Sequence, residues 1–199
     1  MEVGVLLIVV ILIALAIVFR LKSDEGTKPE SENYVDKGVS NKRGSSLDRK
    51  NVVIKKVHHV IDGDTIIVGD AWSNFRVRLD SIDCPEDGQP WGDTAKYGLI
   101  RFIGGQKIRL EPHGYDKYDR MVATVYVKNN VDNEWINVNA KMVVCGHAWV
   151  MRRFYKHLPK ERQKDLNSKE YWAKSKKVGL WKTENPIPPW KWRNETNKN

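Results

Sequence analysis

The chain has 199 residues and only two cysteines, so it is long enough for one compact domain with appendages and too poor in cysteine for a disulfide framework. Its formal net charge is +9, and nearly all of this excess falls in residues 51–199. A basic folded domain favours a polyanionic partner, because neutralising phosphates releases their condensed counterions.

Residues 3–19 form an apolar run without any charge, near the short end of the ~17–25 residues that span a bilayer. Only Met1 and Glu2 precede it, whereas a secretory signal begins with positive charge. We therefore predict a single transmembrane helix as an anchor, with a cleaved signal-like segment as the alternative. Arg20 and Lys22 follow at once, and the positive-inside rule applied to them places the rest of the chain in the cytoplasm.

Residues 20–50 differ in composition from both of their neighbours. Glu, Lys, Ser, Gly and Asn dominate, and large apolar side chains are almost absent. Such a segment cannot bury enough surface to fold, so we predict a flexible, disordered linker. A linker of this kind holds the following domain at a distance from the bilayer.

Residues 51–185 carry the pattern of a folded domain with short strands. Tight turns and β-branched or alternating stretches predict five strands, at residues 52–61, 65–68, 75–79, 107–110 and 122–127. The Asp-Gly-Asp sequence at residues 62–64 predicts the turn between the first two. In the third strand the alternation places Arg76 and Arg78 on one face, opposite the apolar residues.

Three helices are predicted between and after these strands, at residues 94–103, 138–144 and 160–177. Asp93 is the expected N-cap of the first, and Gly104 with Gly105 its stop. Residues 150–182 hold eleven Lys or Arg against three Asp or Glu, which fits either a solvated face or a groove for a phosphate backbone. The domain is predicted to be α+β, mainly β, with helices against a small barrel.

The last segment, residues 186–199, is a Pro/Trp-rich tail. It contains Trp190 and Trp192 after three prolines, and we expect it either to fold back on the barrel or to touch a membrane interface. Asp80 and Asp87 are assigned to solvated surface. No Cys/His spacing in the chain resembles a zinc site.

Acidic and basic residues are grouped at three places along the domain. They occupy residues 62–65 (Asp-Gly-Asp-Thr), residues 83–86 (Asp-Cys-Pro-Glu, with Arg78 shortly before) and residues 116–120 (Asp-Lys-Tyr-Asp-Arg). Grouped carboxylates suit a hard divalent cation, and arginines suit phosphate. Together they predict hydrolysis of a phosphodiester in nucleic acid, although each motif alone would also fit a turn, a surface ion pair or a helix N-terminal charge.

The order and spacing of these motifs resemble those of the staphylococcal nuclease (thermonuclease-like) family over about residues 52–182, and the Gly-Leu-Trp at residues 179–181 also fits. The resemblance implies a five-stranded OB-fold barrel with about three helices. It also implies a calcium-dependent endonuclease that acts on DNA and RNA and leaves 3′-phosphate ends. We expect the protein to be a monomer.

The resemblance assigns roles to the acidic motifs residue by residue. Asp64 and Asp83 are the expected carboxylate ligands of Ca²⁺, and the backbone carbonyl of Cys84 is the expected third ligand. Glu86 is expected to orient or deprotonate the attacking water. A reactive Cys84 thiol is disfavoured, because no histidine stands beside it in the sequence as a base.

The basic residues of the motifs correspond to phosphate contacts in the family. Arg78 and Arg120 are expected to grip the scissile phosphate, and Lys117 and Tyr118 to contact a terminal phosphate of the bound nucleotide. Asp119 departs from the family, in which glycine is common just before the second arginine. The family's base-stacking aromatics do not align cleanly, which leaves Trp149 and Phe154 as candidates.

Two other functions stay open beside the nuclease. One is a non-catalytic OB-fold module that binds nucleic acid or protein, and the other is a membrane scaffold with a vestigial nuclease domain. The complete acidic and arginine set favours the enzyme. A calcium enzyme is better placed outside the cytoplasm, against the positive-inside expectation, so the side of the membrane stays open with a slight preference for the extracytoplasmic side.

Overall fold

The computed structural model describes residues 52–196, so the predictions for residues 3–19 and 20–50 lie outside the described residues. The strands are β1 (Val53–Val60), β2 (Thr65–Gly69), β3 (Asn74–Leu79), β4 (Ile82–Asp83), β5 (Lys107–Tyr115), β6 (Met121–Lys128), β7 (Trp135–Asn137) and β8 (Trp149–Val150). The helices are α1 (Gly92–Ile103), α2 (Val138–Val144), α3 (Lys160–Ser175), a 3₁₀ turn (Gly179–Lys182) and α4 (Pro189–Thr196).

Five of these strands, β1, β2, β3, β5 and β6, close into a barrel. The pairs β1–β2, β2–β3, β1–β5 and β5–β6 are antiparallel, and a parallel β3–β6 pairing joins the two ends of the sheet. In that closing pair Arg78 lies opposite Val122. The predicted α+β domain with a five-stranded, OB-type barrel is therefore confirmed.

The barrel interior is filled by the apolar residues that alternate along the strands. Its fully buried members include Ile66, Val77, Ile108, Leu110 and Val125. Helices α1 and α2 add Leu99, Ile103, Met142 and Val143 to the same core. The alternation places polar side chains on the opposite face of the strands, and this face supplies Arg78 to the candidate site.

Several predicted boundaries differ from the structure. Helix α1 begins at Gly92, before the predicted start, and Asp93 lies in its first turn instead of capping it. The residue before the helix is Trp91, whose φ of 76° ends the preceding turn, and no side chain caps this helix. The prediction of Asp93 as N-cap is therefore wrong, although its charge there still favours the helix dipole. Helix α3 ends at Ser175, before the predicted end.

The tail contains a fourth helix that the sequence did not predict. Its Trp190 packs edge-on against Trp149, with ring centroids 6.3 Å apart, and Pro189 is buried. Gln89 Nε2 donates to the carbonyl of Ile187 at 2.6 Å, which fixes the start of this segment. The described part of the tail thus folds back on the domain. Between residues 52 and 196, no helix is long and apolar enough to cross a membrane.

His147 is a half-buried histidine whose ring is held in the neutral form. Trp91 Nε1–H donates to its Nδ1 at 3.2 Å, which requires that nitrogen to be unprotonated. Burial, with a smaller contribution from Arg101, lowers the pKa of His147 from 6.5 to about 4. Between about pH 4 and pH 6.5, His147 is therefore neutral in the folded protein and protonated in the unfolded chain.

This difference predicts a loss of stability in mild acid. A folded-state pKa below the unfolded one means that the free energy of unfolding falls as the pH drops from about 6.5 to about 4, by up to about 3 kcal/mol. Denaturant unfolding over this pH range measures the effect, and His147→Gln should flatten it. An equal loss in wild type and His147→Gln would assign the dependence to another group.

Candidate active site

The three acidic and basic motifs of the sequence meet at one end of the barrel. The turn at residues 62–64 connects β1 to β2, and the β2–β3 pairing sets Thr65 opposite Arg78. The carbonyl of Asp64 accepts the backbone N–H of Leu79 at 2.8 Å, which fixes the turn against the end of β3. Because β4 follows β3 closely in sequence, Asp83 lies at the same end of the barrel.

Arg78 joins two carboxylates in a nearly buried ion network. Its Nη2 lies 3.1 Å from Asp64 Oδ2 and donates to Asp83 Oδ1 at 2.8 Å, while Nη1 donates to the carbonyl of Leu79 at 2.9 Å. The exposed side-chain fractions are 17% for Arg78, 9% for Asp64 and 3% for Asp83. Such a network is rigid, because breaking it would leave a buried charge without its partner.

Asp64 is held by its neighbours and lacks full charge compensation. The Cys84 N–H donates to its Oδ2 at 2.8 Å, and Thr65 Oγ1 donates to its Oδ1 at 3.2 Å. Burial raises the pKa of Asp64 to about 8; Arg78 opposes this shift, and the charges of Asp62 and Asp83 add to it. A further positive charge beside Asp64 would favour its ionised form, so its oxygen donors fit a hard cation.

Cys84 packs against the same turn and is not a nucleophile. Its thiol donates to the Gly63 carbonyl at 3.1 Å, and burial raises its pKa well above the usual value, so the thiol stays protonated. The position of Gly63 is tight, because a Cβ built there would lie 2.6 Å from the Cβ of Cys84 and 3.0 Å from that of Ala95.

We expect Gly63→Ala to destabilise the protein by about 1–3 kcal/mol, because the added methyl group must push apart the packed residues Cys84 and Ala95. The backbone of Asp64 would shift with the turn. Equilibrium denaturation of the two proteins measures the cost. An unchanged free energy of unfolding would mean that the turn can relax away from the barrel without loss.

Glu86 and Asp83 both bond to Arg193, which is distant from them in sequence. Arg193, in α4, donates from Nη2 to Asp83 Oδ2 at 2.8 Å, and its Nη1 bonds to Glu86 Oε1. The side chains of Arg193 and Glu86 are 40% and 37% exposed, respectively. Sequence reasoning missed Arg193, since no local pattern in the tail points to residues 83–86.

Arg120 is fixed by the turn between β5 and β6. Asp116 accepts the Arg120 Nε–H at 2.8 Å through Oδ2, and its Oδ1 accepts the backbone N–H groups of Tyr118 and Arg120. Arg120 Nη1 donates to Thr65 Oγ1 at 3.3 Å, so it reaches Asp64 through one hydroxyl. Asp119 has a φ of 58°, the left-handed conformation that glycine adopts readily, so this aspartate takes up a backbone conformation suited to the glycine common in the family.

Lys117 and Tyr118 stand on the outside of the same turn. The Tyr118 ring is exposed, and its centroid lies 4.9 Å from Lys117 Nζ and 5.4 Å from Arg120 Cζ. These two predicted phosphate contacts therefore lie beside Arg120 and face solvent. The structure thus brings the eight predicted site residues to one end of the barrel.

The two candidate stacking residues differ in their environment. Trp149 is buried, and its ring packs edge-on against Trp181 at 5.3 Å as well as against Trp190. Phe154 is exposed, with Arg153 Cζ 4.6 Å from its ring centroid. Trp149 is therefore a packing residue, whereas Phe154 keeps a free aromatic face.

A closed five-stranded barrel with carboxylates and two arginines gathered at one end belongs to the class of OB-type barrels that carry an acid–arginine site. Residues 76–183 match the family described as staphylococcal nuclease homologue. The chain belongs to this family, as its motifs predicted.

Curated relatives agree with this membership. Protein ParB of Escherichia coli is 34% identical over 145 residues, which cover 71% of this chain and 80% of that protein. Micrococcal nuclease of Shigella flexneri is 36% identical over 141 residues, covering 69% and 79%. An uncharacterized endonuclease of Escherichia coli O157:H7 is 33% identical over 138 residues, covering 69% and 83%.

Proposed function

We propose that this protein is a calcium-dependent endonuclease that hydrolyses DNA and RNA with little sequence preference and leaves 3′-phosphate ends. The observation that carries the proposal is the network in which Arg78 bridges Asp64 and Asp83, with Glu86 beside Asp83. Relatives named micrococcal nuclease and endonuclease support the same activity. A non-catalytic binding module would not require these buried, costly charges.

The proposed cation site consists of oxygen donors. Asp64 and Asp83 would hold Ca²⁺ through their carboxylates, and the backbone carbonyl of Cys84 would complete the protein ligands. When bound, Ca²⁺ would supply positive charge for the phosphate oxygens during hydrolysis. Arg78 already orients both carboxylates, so the ligands are positioned before the ion arrives.

The arginines keep donors available for a phosphate. A guanidinium has five N–H groups, and the contacts of Arg78 described above engage three of them. Arg120 likewise donates from Nε to Asp116 and from Nη1 to Thr65, and its Nη2 lies 2.7 Å from Asp116 Oδ2. The remaining N–H groups of both residues would stabilise the extra negative charge that phosphorus oxygens acquire in the transition state.

Glu86 is the proposed general base. It stands at the solvent-accessible side of the network, where water can reach it, and its backbone N–H donates to Gln89 Oε1 at 2.9 Å. Its carboxylate would take a proton from the attacking water. The less exposed carboxylates of Asp64 and Asp83 are better placed to hold the cation.

Digestion of single-stranded DNA and RNA by the full chain, kept in detergent, tests this function. We expect cleavage in millimolar Ca²⁺, none after a calcium chelator is added, and products whose 3′ ends accept ligation only after phosphatase treatment. A persistent complex with single-stranded DNA and no cleavage in any metal would instead support the binding module.

We also propose that residues 3–19 tether the domain to a membrane and that the domain acts outside the cytoplasm. This proposal rests on the uncharged apolar run and on the proposed calcium dependence. The full chain should resist extraction of membranes with alkaline carbonate, and externally added protease should digest it in intact cells. Release of the protein by carbonate would contradict the membrane tether.

We also propose that the protein is a monomer, which light scattering of the purified full chain would check.

A further inference from the structure

A second cluster of ligand-type side chains lies outside the active-site network. Asp80 follows β3 directly, His113 lies in β5, and His157 lies between β8 and α3. Asp80 Oδ2 is 3.0 Å from His157 Nε2 and 3.9 Å from His113 Nε2, and the two imidazole centroids are 4.6 Å apart. The prediction that Asp80 is solvated is wrong, because it is only 4% exposed.

The spacing of the three groups fits one metal ion. Their ligand atoms all lie within 4.8 Å of one another. Tetrahedral zinc with bonds of about 2.0–2.2 Å sets neighbouring ligand atoms about 3.3–3.6 Å apart, a value between the two carboxylate–imidazole distances. Two imidazoles and one carboxylate are also the ligands that zinc and similar transition metals prefer, whereas calcium prefers oxygen alone.

The backbone of Asp80 is fixed on both sides, and a neighbouring hydroxyl contacts its carboxylate. The Asp80 backbone N–H donates to the carbonyl of Ala123 at 2.9 Å, and Asn139 Nδ2 donates to the carbonyl of Asp80 at 2.9 Å. Ser81 Oγ donates to Asp80 Oδ2 at 2.8 Å. The backbone contacts orient Asp80 before an ion binds, and the Ser81 hydroxyl shares Oδ2 with the two histidines.

The histidines also have defined surroundings. Thr124 Oγ1 lies 2.8 Å from His113 Nε2, the nitrogen nearest Asp80, so a bound ion would replace this hydroxyl as its partner. The nearby cation Arg162 is paired with Glu111 at 2.8 Å, so much of its charge is compensated. His157 is 40% exposed, so an ion can reach the site from solvent and a water molecule can serve as fourth ligand.

We propose that Asp80, His113 and His157 form a transition-metal site, with Zn²⁺ as the preferred ion, in addition to the acidic site of the barrel. It ties the end of β3 to β5 and to the segment before α3, so its role is structural. The cluster shares no residue with the network of Asp64, Arg78, Asp83 and Glu86. The two sites therefore differ in both ligands and ion.

Cobalt binding tests this site without any assay of activity. The full chain, stripped of metal with a chelator and titrated with Co²⁺, should show the intense visible bands of four-coordinate cobalt at one equivalent, and Zn²⁺ should abolish them. His157→Gln should weaken Co²⁺ binding at least about tenfold. Exposed His59→Gln should bind as wild type does.

Two results would overturn the proposal. One is a wild-type spectrum with only the weak bands of six-coordinate cobalt, and the other is an equal affinity in wild type and His157→Gln. A thermal melt provides a second measurement. Zn²⁺ should raise the melting temperature of wild type and His59→Gln but not that of His157→Gln, which is exposed enough to substitute without unfolding the protein.

A separate inference comes from α4. Arg193 bonds to Asp83 and Glu86, so that with Arg78 on Oδ1 both carboxylate oxygens of Asp83 have an arginine partner. A cation at Asp83 would need an oxygen that Arg193 occupies, and a second guanidinium there would add its repulsion to that of Arg78, because like charges repel strongly where water is scarce. Cation binding at Asp83 and the Arg193 contact therefore compete.

Arg193 can leave the site without disturbing the core. In α4, Pro189 is the buried residue, and the Arg193 side chain is 40% exposed. The helix itself is anchored through Trp190 against Trp149 and through the Ile187 carbonyl. The side chain can thus swing into solvent while the helix stays in place.

We infer that Arg193 is an autoinhibitory group, which holds Asp83 and Glu86 in a closed ion pair until a cation displaces it. This inference rests on the proposed calcium-dependent nuclease function. It predicts that calcium must displace the Arg193 side chain before it binds, so that the enzyme is inactive at low calcium concentration.

Calcium titration of the full chain tests the inference by calorimetry and by cleavage of single-stranded DNA. Arg193→Gln should lower the half-saturating calcium concentration about fivefold or more. Lys191→Gln, an exposed neighbour on the same helix, should match wild type. Unchanged or weaker calcium binding in Arg193→Gln would overturn the inference. If Arg193→Gln binds calcium more tightly but neither it nor wild type cleaves DNA, Arg193 competes with calcium and the proposed nuclease function is wrong.

Discussion

Glu86→Gln is expected to slow phosphodiester hydrolysis by at least about a hundredfold while leaving the fold unchanged. The amide has nearly the shape of the carboxylate but cannot accept a proton from water at neutral pH. Glu86 is partly exposed and touches no core residue in the contacts described above, so its loss should not unfold the domain. Single-turnover cleavage at saturating calcium measures the effect on the chemical step.

A matched control separates the role of Glu86 from a general change in charge. Glu134, in the turn before β7, is exposed, and Glu134→Gln removes the same charge elsewhere on the domain. We expect it to cleave at the wild-type rate. Equal rates for Glu86→Gln and wild type would exclude Glu86 as the base and would direct attention to another oxygen near Asp83.

Arg78→Met is expected to lower the free energy of unfolding by about 3–5 kcal/mol, the cost of leaving buried carboxylates without their partner. Methionine keeps much of the side-chain volume, so the loss reports on charge and hydrogen bonds. The bridge to Asp64 and Asp83 disappears, and the carbonyl of Leu79 loses a donor. Urea denaturation measures the loss, and hydrolysis should fall by about 10²–10³ in the same variant.

Arg76 provides the control on the same strand. It lies two residues earlier in β3 with an exposed side chain, and we expect Arg76→Met to change the free energy of unfolding by less than about 0.5 kcal/mol. A double variant of Arg78→Met with Asp83→Asn should recover part of the lost stability, because it removes one of the uncompensated charges. Similar losses in Arg76→Met and Arg78→Met would mean that the network contributes little.

The sequence was informative where the signal is local. Strand alternation and tight turns predicted the barrel strands, and helix α2 begins and ends where the apolar pattern does. The short strands β4, β7 and β8 have two or three residues each, too few to produce a period. Asp93 was a poor guide to the start of α1, because the turn at Trp91 starts the helix through its backbone and not through a side-chain cap.

The sequence was silent where a contact joins distant parts of the chain. Arg193 and Asp83 are separated by 110 positions, and no propensity or spacing rule connects them. Asp80 looks like an ordinary polar residue after a strand, and its burial depends on His157 and on Asn139 of α2. The site motifs were recognised because their residues are close in sequence, whereas these two clusters exist only after the barrel and helices have assembled.

The parallel pairing of β3 with β6 has a consequence for folding kinetics. It places Arg78 opposite Val122, close to Arg120, so the two arginines come together only when the barrel closes. Such non-local strand pairing is the slow part of forming a β-rich domain, because a long loop must be ordered before the contact forms. Recovery of hydrolysis after dilution from urea should therefore lag behind helix formation and coincide with protection of the Leu79 amide from hydrogen exchange.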